Sequence, residues 1–428
     1  MPGTAVAEGG ARPDCPGSSP DPVSDPRPKS ALPDGLRPAT YAVRGGQERT
    51  GFDETSEALF LTQGYVYDRA ADAEAAFAGD LDRFIYSRYG NPTVSTFEER
   101  LRLIEGAPAC YATATGMSAV FTSLAALVKQ GSRIVSARAL FGSTVVIFEE
   151  ILAKWGVRTD YVDGHDLAQW EQALATPADV VFFETPTNPM LDIIDIAAVC
   201  ELAHAAGATV IVDNVFATPV LQRPIPMGVD VVVYSATKHI DGQGRVLGGA
   251  ILGSTDYIDG PVQTMIRNTG PSMSPFNAWV LLKGLETLDL RVRAASAAAA
   301  DLAQWLQDQP QVASVRYPFL PSHPQYDLAR RQQDGGGTIV TFDLATGNDP
   351  AAAKAAAFAL LDELAIIDIS NNLGDAKSMV THPATTTHRK LGPDGRAAVG
   401  IGEATIRLSV GLEHMDDLRD DLAQALRA

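Results

Sequence analysis

Between residues 180 and 235 the chain reads Val180-Val-Phe-Phe-Glu184, then Ile193–Ala206, then Thr209-Val-Ile-Val-Asp213, then Val229-Asp-Val-Val-Val-Tyr-Ser235. Short runs rich in Val, Ile, Phe and Tyr, with no polar face, read as strands buried on both sides. The longer stretch between them, with apolar residues at i, i+3 and i+4, reads as a helix. The same alternation extends upstream through Ala109–Ala112 and Gly116–Lys129, Arg133–Ala137 and Ser143–Trp155, and Thr159–Val162 and Asp166–Leu174. Strand and helix in strict alternation predict a doubly wound α/β domain with a mainly parallel sheet.

Downstream the pattern changes. A helix-rich stretch from Phe276 to about Trp305 is followed by short strands at Ala313–Tyr317, Gly337–Leu344, Ile366–Ser370 and Thr405–Val410. An alanine-rich helix at Asp349–Leu361 and a last helix from His414 lie among them, which predicts a smaller α+β domain. At the other end, nine of the 27 prolines fall between Pro2 and Pro38, among Gly, Ser and Asp with little aliphatic pattern. These shifts divide the chain into a disordered tail 1–38, an arm 39–90, a large domain 91–285 and a small C-terminal domain 286–428.

Composition narrows the function. The 428 residues carry 34 basic and 52 acidic side chains, a formal net charge of −18. Such a surface has no footprint for a phosphate backbone or an anionic membrane, so neither nucleic acid nor membrane is expected as a partner. No apolar run is long enough to span a bilayer. Cys15, Cys110 and Cys200 have no metal-knuckle spacing, and the start lacks a signal-peptide pattern. The expectation is a reduced, cytoplasmic protein without a metal.

In open α/β sheets, ligands sit at the carboxyl ends of the strands. Those positions hold Glu184 and Asn188 in Glu184-Thr-Pro-Thr-Asn-Pro189, Asp213, and Ser235, Thr237 and Lys238 in Tyr234-Ser-Ala-Thr-Lys-His239. Gly116 and Met117 open a helix and would offer backbone N–H groups to an anion. Ser235 and Thr237 add hydroxyl donors, Asp213 could keep a ring nitrogen protonated, and Lys238 could form an imine. Together these are the parts that pyridoxal phosphate chemistry requires. Singly, each has an ordinary reading: a solvated lysine, a capping aspartate, turn serines and threonines, a proline-built turn. Their conjunction at successive strand ends favours the cofactor. Gly242-Gln-Gly244-Arg-Val-Leu-Gly248 imitates a dinucleotide fingerprint, but its third glycine is one residue late and an apolar strand-like run follows it.

Tyr86-Ser-Arg-Tyr-Gly-Asn-Pro-Thr93, Ala114-Thr-Gly-Met-Ser-Ala119, Glu184–Pro189, Tyr234–His239 and Arg407-Leu-Ser-Val-Gly-Leu-Glu413 form an ordered set of blocks. In them the chain resembles the cystathionine gamma-synthase-like, pyridoxal-phosphate-dependent enzymes from about residue 40 to the end. Glu54–Thr62, Tyr65–Asp68, Gly270–Trp279, Ile369–Ser378 and His382–His388 are most similar to the O-succinylhomoserine sulfhydrylase branch of that family.

The resemblance implies the aspartate-aminotransferase (type I) fold, with Lys238 as the Schiff-base lysine and Asp213 paired with the pyridine nitrogen. It implies Asn188 near the phenolic oxygen, Phe141 stacked on the ring, and Gly116, Met117, Ser235 and Thr237 around the phosphate. It also implies that Tyr86 and Arg88 reach a neighbouring subunit's phosphate, within a tetramer of catalytic dimers. Arg407 would hold the substrate α-carboxylate, with Asn372 and Glu184 nearby. Apart from the resemblance, Arg267, just before Asn268-Thr-Gly-Pro, is a candidate for the distal succinyl carboxylate, although a surface arginine near a turn is the more ordinary reading. Phe141 stands where many family members carry tyrosine, and Ser143 where methionine gamma-lyases carry cysteine. The implied activity is replacement of succinate in O-succinyl-L-homoserine by sulfide, giving homocysteine for methionine biosynthesis. O-acetylhomoserine sulfhydrylase, cystathionine gamma-synthase and γ-lyase activities are the alternatives within the family. A catalytically silent cofactor-binding protein is the alternative outside it.

Overall fold

The computed structural model describes residues 32, 33, 35–347 and 349–427. The expected tail lies outside them as far as residue 31, and its last residue, Pro38, opens the helix Pro38–Arg44.

Seven strands form the larger sheet: β1 (Ala109–Thr113), β2 (Arg133–Ala137), β3 (Arg158–Val162), β4 (Val180–Glu184), β5 (Thr209–Asp213), β6 (Val231–Tyr234) and β7 (Gly249–Gly253). Their spatial order is β1-β7-β6-β5-β4-β2-β3, and only β7 runs against the rest. Alternate residues of the central strands serve opposite faces. Val181, Phe183, Val210, Val212 and Val232 enter one core, while Val180, Phe182, Ile211, Val231 and Val233 enter another. That double burial explains why these strands carry no polar alternation.

Helix starts follow capping chemistry. Thr115 opens the helix Gly116–Ala125 by accepting the Ser118 N–H at 3.0 Å. The helix expected from Ile193 begins at Ile196, because the Asp195 carboxylate takes the Ala198 N–H at 3.1 Å. The helix expected over Ser143–Trp155 is not uniform: Gly142–Val146 passes into a π turn, Ile147–Ile151, and a 3-10 turn, Leu152–Trp155. The Gly242–Gly248 loop leads directly into β7, with no helix behind it to receive a dinucleotide.

Five strands form the smaller sheet: β8 (Val312–Arg316), β9 (Ile339–Leu344), β10 (Asp368–Ile369), β11 (Met379–Thr381) and β12 (Thr405–Ser409). Their order is β10-β11-β12-β9-β8; β10 and β11 are parallel and the other pairs antiparallel. The helix-rich stretch expected from Phe276 is two helices, Pro275–Glu286 and Leu288–Gln307, broken at Thr287. The second joins the two halves of the molecule. Leu288 and Val292 pack in a core of the larger sheet, and Ala299, Leu302, Ala303 and Leu306 in the core of the smaller one. Among the described residues no helix is long and apolar enough to cross a membrane.

Candidate active site

Glu184 and Asp213 end adjacent parallel strands and are direct register partners. Ser235 follows β6, and a turn closed by the Lys238 N–H on the Ser235 carbonyl at 3.2 Å carries Lys238 back over the strand ends. Arg407 arrives from the middle of β12, in the other sheet, between Thr381 and Thr341. These five residues line one cavity of about 250 Å³, together with Gly116, Met117, Phe141, Asn188 and Thr237. Asn372 meets the site through Lys238, whose Nζ donates to Asn372 Oδ1 at 2.5 Å.

The charged groups perturb one another. Burial, and then the charge of Arg407, lowers the Lys238 pKa from 10.5 to about 8. Burial raises Asp213 to about 6, against the pull of the Val215 N–H, which it accepts at 3.0 Å. Burial, and then the neighbouring Asp213 charge, pushes Glu184 well above the carboxylate range, although it accepts the Phe141 N–H at 2.7 Å. Two carboxyls in one enclosed space resist double ionisation, so Glu184 is the one that keeps its proton.

Arg407 is a buried cation, 1 % exposed, with no carboxylate among its partners in the described residues. Its Nη1 donates to Asn188 Oδ1 at 3.1 Å and its Nη2 to the carbonyls of Asn371 and Asn372 at 2.9 and 3.2 Å. Nε is buried without a partner. A guanidinium kept dry without a counter-ion has the chemistry to receive a carboxylate. The other side of Asn188 is held by His388, whose Nε2 donates to the Asn188 carbonyl at 3.1 Å. Burial, and then Arg407, lowers His388 to about 4, so it holds Asn188 as a neutral ring.

The donor set fits pyridoxal phosphate. Gly116 approaches so closely that a Cβ there would lie 2.5 Å from the Cβ of Ser235, which brings the helix start and the Ser235 hydroxyl onto one spot. The first N–H groups of a helix have no intrahelical acceptor, so this spot suits a phosphate. The Thr237 hydroxyl faces the same cavity but is also engaged with Gly248, accepting its N–H at 3.1 Å. An aspartate, a lysine of depressed pKa and an aromatic face complete the set.

Tyr86, Arg88 and Arg267 are elsewhere. They belong to a separate region of the surface, where the Arg88 and Arg267 guanidinium carbons lie 4.9 and 5.3 Å from the centroid of the Tyr89 ring. Arg88 and Arg267 line a groove of about 700 Å³ there, and neither contributes to the cavity around Lys238 within the same chain. Besides Thr115, Val120, Pro186, Val215, Phe216 and Leu247, which also line the cavity, three contributors had no role in the sequence reading: Asn371, Leu373 and His388, the last through Asn188. His388 ends a quoted motif, which was the available signal. The other two sit in Ile369–Ser378 beside the expected Asn372.

The sheet topology, the helix-start anion site and the strand-end lysine define a fold type I pyridoxal phosphate enzyme. The chain belongs to the family of Cys/Met metabolism PLP-dependent enzymes, whose model it matches over residues 39–427. It is 66% identical over 403 residues to the O-succinylhomoserine sulfhydrylase of Mycobacterium tuberculosis, covering 94% of this chain and 99% of that protein. The identity to the O-succinylhomoserine sulfhydrylase of Pseudomonas aeruginosa is 49% over 389 residues, covering 91% and 95%. The crystal structure of cystathionine gamma synthase from Xanthomonas oryzae superposes with a TM-score of 0.86 at 33% identity, covering 92% of this chain and 98% of that one.

Proposed function

We propose that this enzyme replaces the succinyloxy group of O-succinyl-L-homoserine by sulfide, releasing L-homocysteine and succinate. One observation carries the reading: a buried guanidinium without a counter-ion, Arg407, faces a lysine of depressed pKa across one cavity. An amino acid's α-carboxylate fits the first and its Cα proton the second. The identity to two O-succinylhomoserine sulfhydrylases supports the leaving group and the nucleophile.

When bound, pyridoxal phosphate would supply an electron sink for charge developing at the substrate Cα. Gly116, Met117 and Ser235 would hold its phosphate, Phe141 would cover its ring, Asp213 would face its nitrogen, and Lys238 would carry it covalently. The residues themselves divide the remaining work. Arg407 fixes the α-carboxylate with its free Nε and its forked Nη groups. Asn188, held by Arg407 and His388, keeps the fork in place. Lys238, with its amine in the same cavity as Arg407, is the base for the Cα proton. With a pKa of about 8 it can return that proton near neutral pH. The Asn372 amide oxygen accepts from Lys238 Nζ and so gives the amine a resting position.

The same reading assigns Tyr86 and Arg88 to the site of a second copy, because they are exposed or half-buried and lie apart from their own chain's cavity. The assembly would be at least a dimer, and a tetramer of such dimers is the expected state. A cytoplasmic location belongs to this reading, in keeping with the free thiols of Cys110 and Cys200.

The test is product analysis of the cofactor-loaded enzyme with O-succinyl- or O-acetylhomoserine, each with sulfide or cysteine. Homocysteine from the succinyl ester and sulfide at the highest kcat/KM is expected. Preference for the acetyl ester, cystathionine as the main product, or 2-oxobutyrate without thiol incorporation would each replace the reading by one of its relatives.

A further inference from the structure

Behind the cavity lies a chain of buried side-chain hydrogen bonds that the proposed chemistry does not use. Gln332 and Gln333 donate through their Nε2 atoms to Gln222 Oε1 at 3.0 and 3.1 Å. Gln222 Nε2 donates to Asn214 Oδ1 at 2.8 Å and to the Thr185 carbonyl at 3.0 Å. Asn214 Nδ2 donates to the Tyr234 hydroxyl at 2.7 Å and to the Gln222 carbonyl at 2.8 Å. Tyr234 donates in turn to Glu105 Oε2 at 2.5 Å. Gln222, Asn214, Tyr234 and Glu105 are each 2 % exposed or less.

Side-chain donation runs one way along the whole chain, from the glutamines to the carboxyl group of Glu105. Each amide therefore fixes the orientation of the next, since turning one would set donor against donor. Three members, at strand ends of the larger sheet, are immediate neighbours of residues in the cavity. Thr185 follows Glu184, Asn214 follows Asp213, and Tyr234 precedes Ser235. Gln222 binds two of these strand ends at once, and it also receives the helix Tyr326–Gln332 through Gln332.

We propose that Gln222 is a positioning residue for the cofactor site: it locks the ends of β4 and β5, and through Asn214 and Tyr234 the end of β6, into one spacing. The inference rests on the reading that Asp213 faces the cofactor's ring nitrogen and Ser235 its phosphate. Gln222 touches neither the cavity nor any reacting atom, so its effect must pass through where those two groups stand.

Gln222→Glu separates this role from stability. The glutamate keeps the oxygen that accepts from Gln332 and Gln333 but loses the Nε2 donor to Asn214 and Thr185. Gln333→Leu does the reverse, cutting only a bond on the far side. Apoprotein of each variant is melted, titrated with pyridoxal phosphate, and the bound cofactor's visible absorption is followed against pH. Gln222→Glu is expected to weaken cofactor binding by about tenfold, the size of one or two lost buried hydrogen bonds, and to move the pH midpoint of the absorption. Gln333→Leu is expected to lower the melting temperature while leaving both cofactor readouts at wild-type values. Tyr234→Phe, which removes one hydroxyl, should shift the same two readouts by a smaller amount, and it carries the test if Gln222→Glu does not fold. The proposal is overturned if Gln222→Glu and Tyr234→Phe lower melting alone, or if Gln333→Leu weakens the cofactor equally. A wild-type protein that binds no pyridoxal phosphate would instead overturn the reading of the site beneath it.

Discussion

The acidity of Lys238 is set by two causes whose contributions can be separated. Burial is the larger cause and the Arg407 charge the smaller, and together they bring the amine from 10.5 to about 8. At pH 7 this leaves roughly 10% of the lysine neutral, against roughly 0.03% at 10.5, about a 300-fold enrichment of the reactive form. Arg407→Gln removes the charge and leaves the burial. Because burial dominates, the variant should recover less than half of the displacement, placing its midpoint near ~9 and cutting the neutral fraction at pH 7 about tenfold. The assay is the rate at which apoprotein takes up pyridoxal phosphate as a function of pH, read from the absorption of the lysine-bound form. Wild type should reach half its limiting rate at about pH 8. Lys238→Ala should show no covalent uptake and supplies the blank. A wild-type midpoint at 10 or above, or the same midpoint in Arg407→Gln, refutes the account of how this lysine is activated.

Gly116→Ala would set a Cβ against Ser235, so cofactor binding by the apoprotein should weaken tenfold or more, as judged by about 1–3 kcal/mol for an overpacked contact. Unchanged titrations of this variant would remove the proposed cradle. Burial raises Glu105 to about 8, above its unfolded value of 4.5. Its contribution to stability is therefore full below pH 4.5 and fades as pH rises through 8. Melting of Glu105→Gln at pH 5 and pH 8 should show a smaller difference than wild type does, and an equal difference would mean that Glu105 is ionised throughout. Arg267 lies outside the cavity around Lys238, so Arg267→Ala should leave the ratio of kcat/KM for O-succinyl- and O-acetylhomoserine unchanged; a selective loss on the succinyl ester would give Arg267 a part in recognising the distal carboxylate.

The larger sheet is legible in the sequence because Val180–Glu184, Thr209–Asp213 and their neighbours are buried on both faces, which leaves an uninterrupted apolar signature. The site is legible for a related reason. A parallel sheet puts its loops at one end, so reading each strand's last residue collects Glu184, Asp213 and Ser235 without knowing the strand order. β11 escapes, since three residues carry no periodicity, and so does the interruption of the helix after Val146, where a π turn leaves no compositional mark. Arg407 comes from the other sheet, and no local pattern could aim it at Lys238; only the resemblance did. Gln222 is the hardest case. A glutamine after the short helix Thr218–Leu221 has the composition of a surface turn, and only the three-dimensional path of its amide shows that it binds two strand ends.

The pairing of Glu184 with Asp213 bears on how an acidic protein handles anionic ligands. The chain carries a net charge of −18, yet the cavity must admit a phosphate and at least one carboxylate. Two ionised carboxylates at adjacent strand ends would oppose both, and would leave the ring nitrogen facing more negative charge than one proton can balance. Burial and Asp213 together hold Glu184 protonated, with its Oε1 satisfied by the Phe141 N–H. The cavity then presents one carboxylate, Asp213, against two cations, Lys238 and Arg407. Glu184 in this state acts by staying neutral, keeping Phe141 fixed over the site without adding charge to it. Glu184→Gln should accordingly preserve cofactor binding and the pH midpoint of its absorption, while Glu184→Leu, which drops the acceptor for Phe141, should not. Loss of cofactor binding in Glu184→Gln would mean that the charge of Glu184 itself is required.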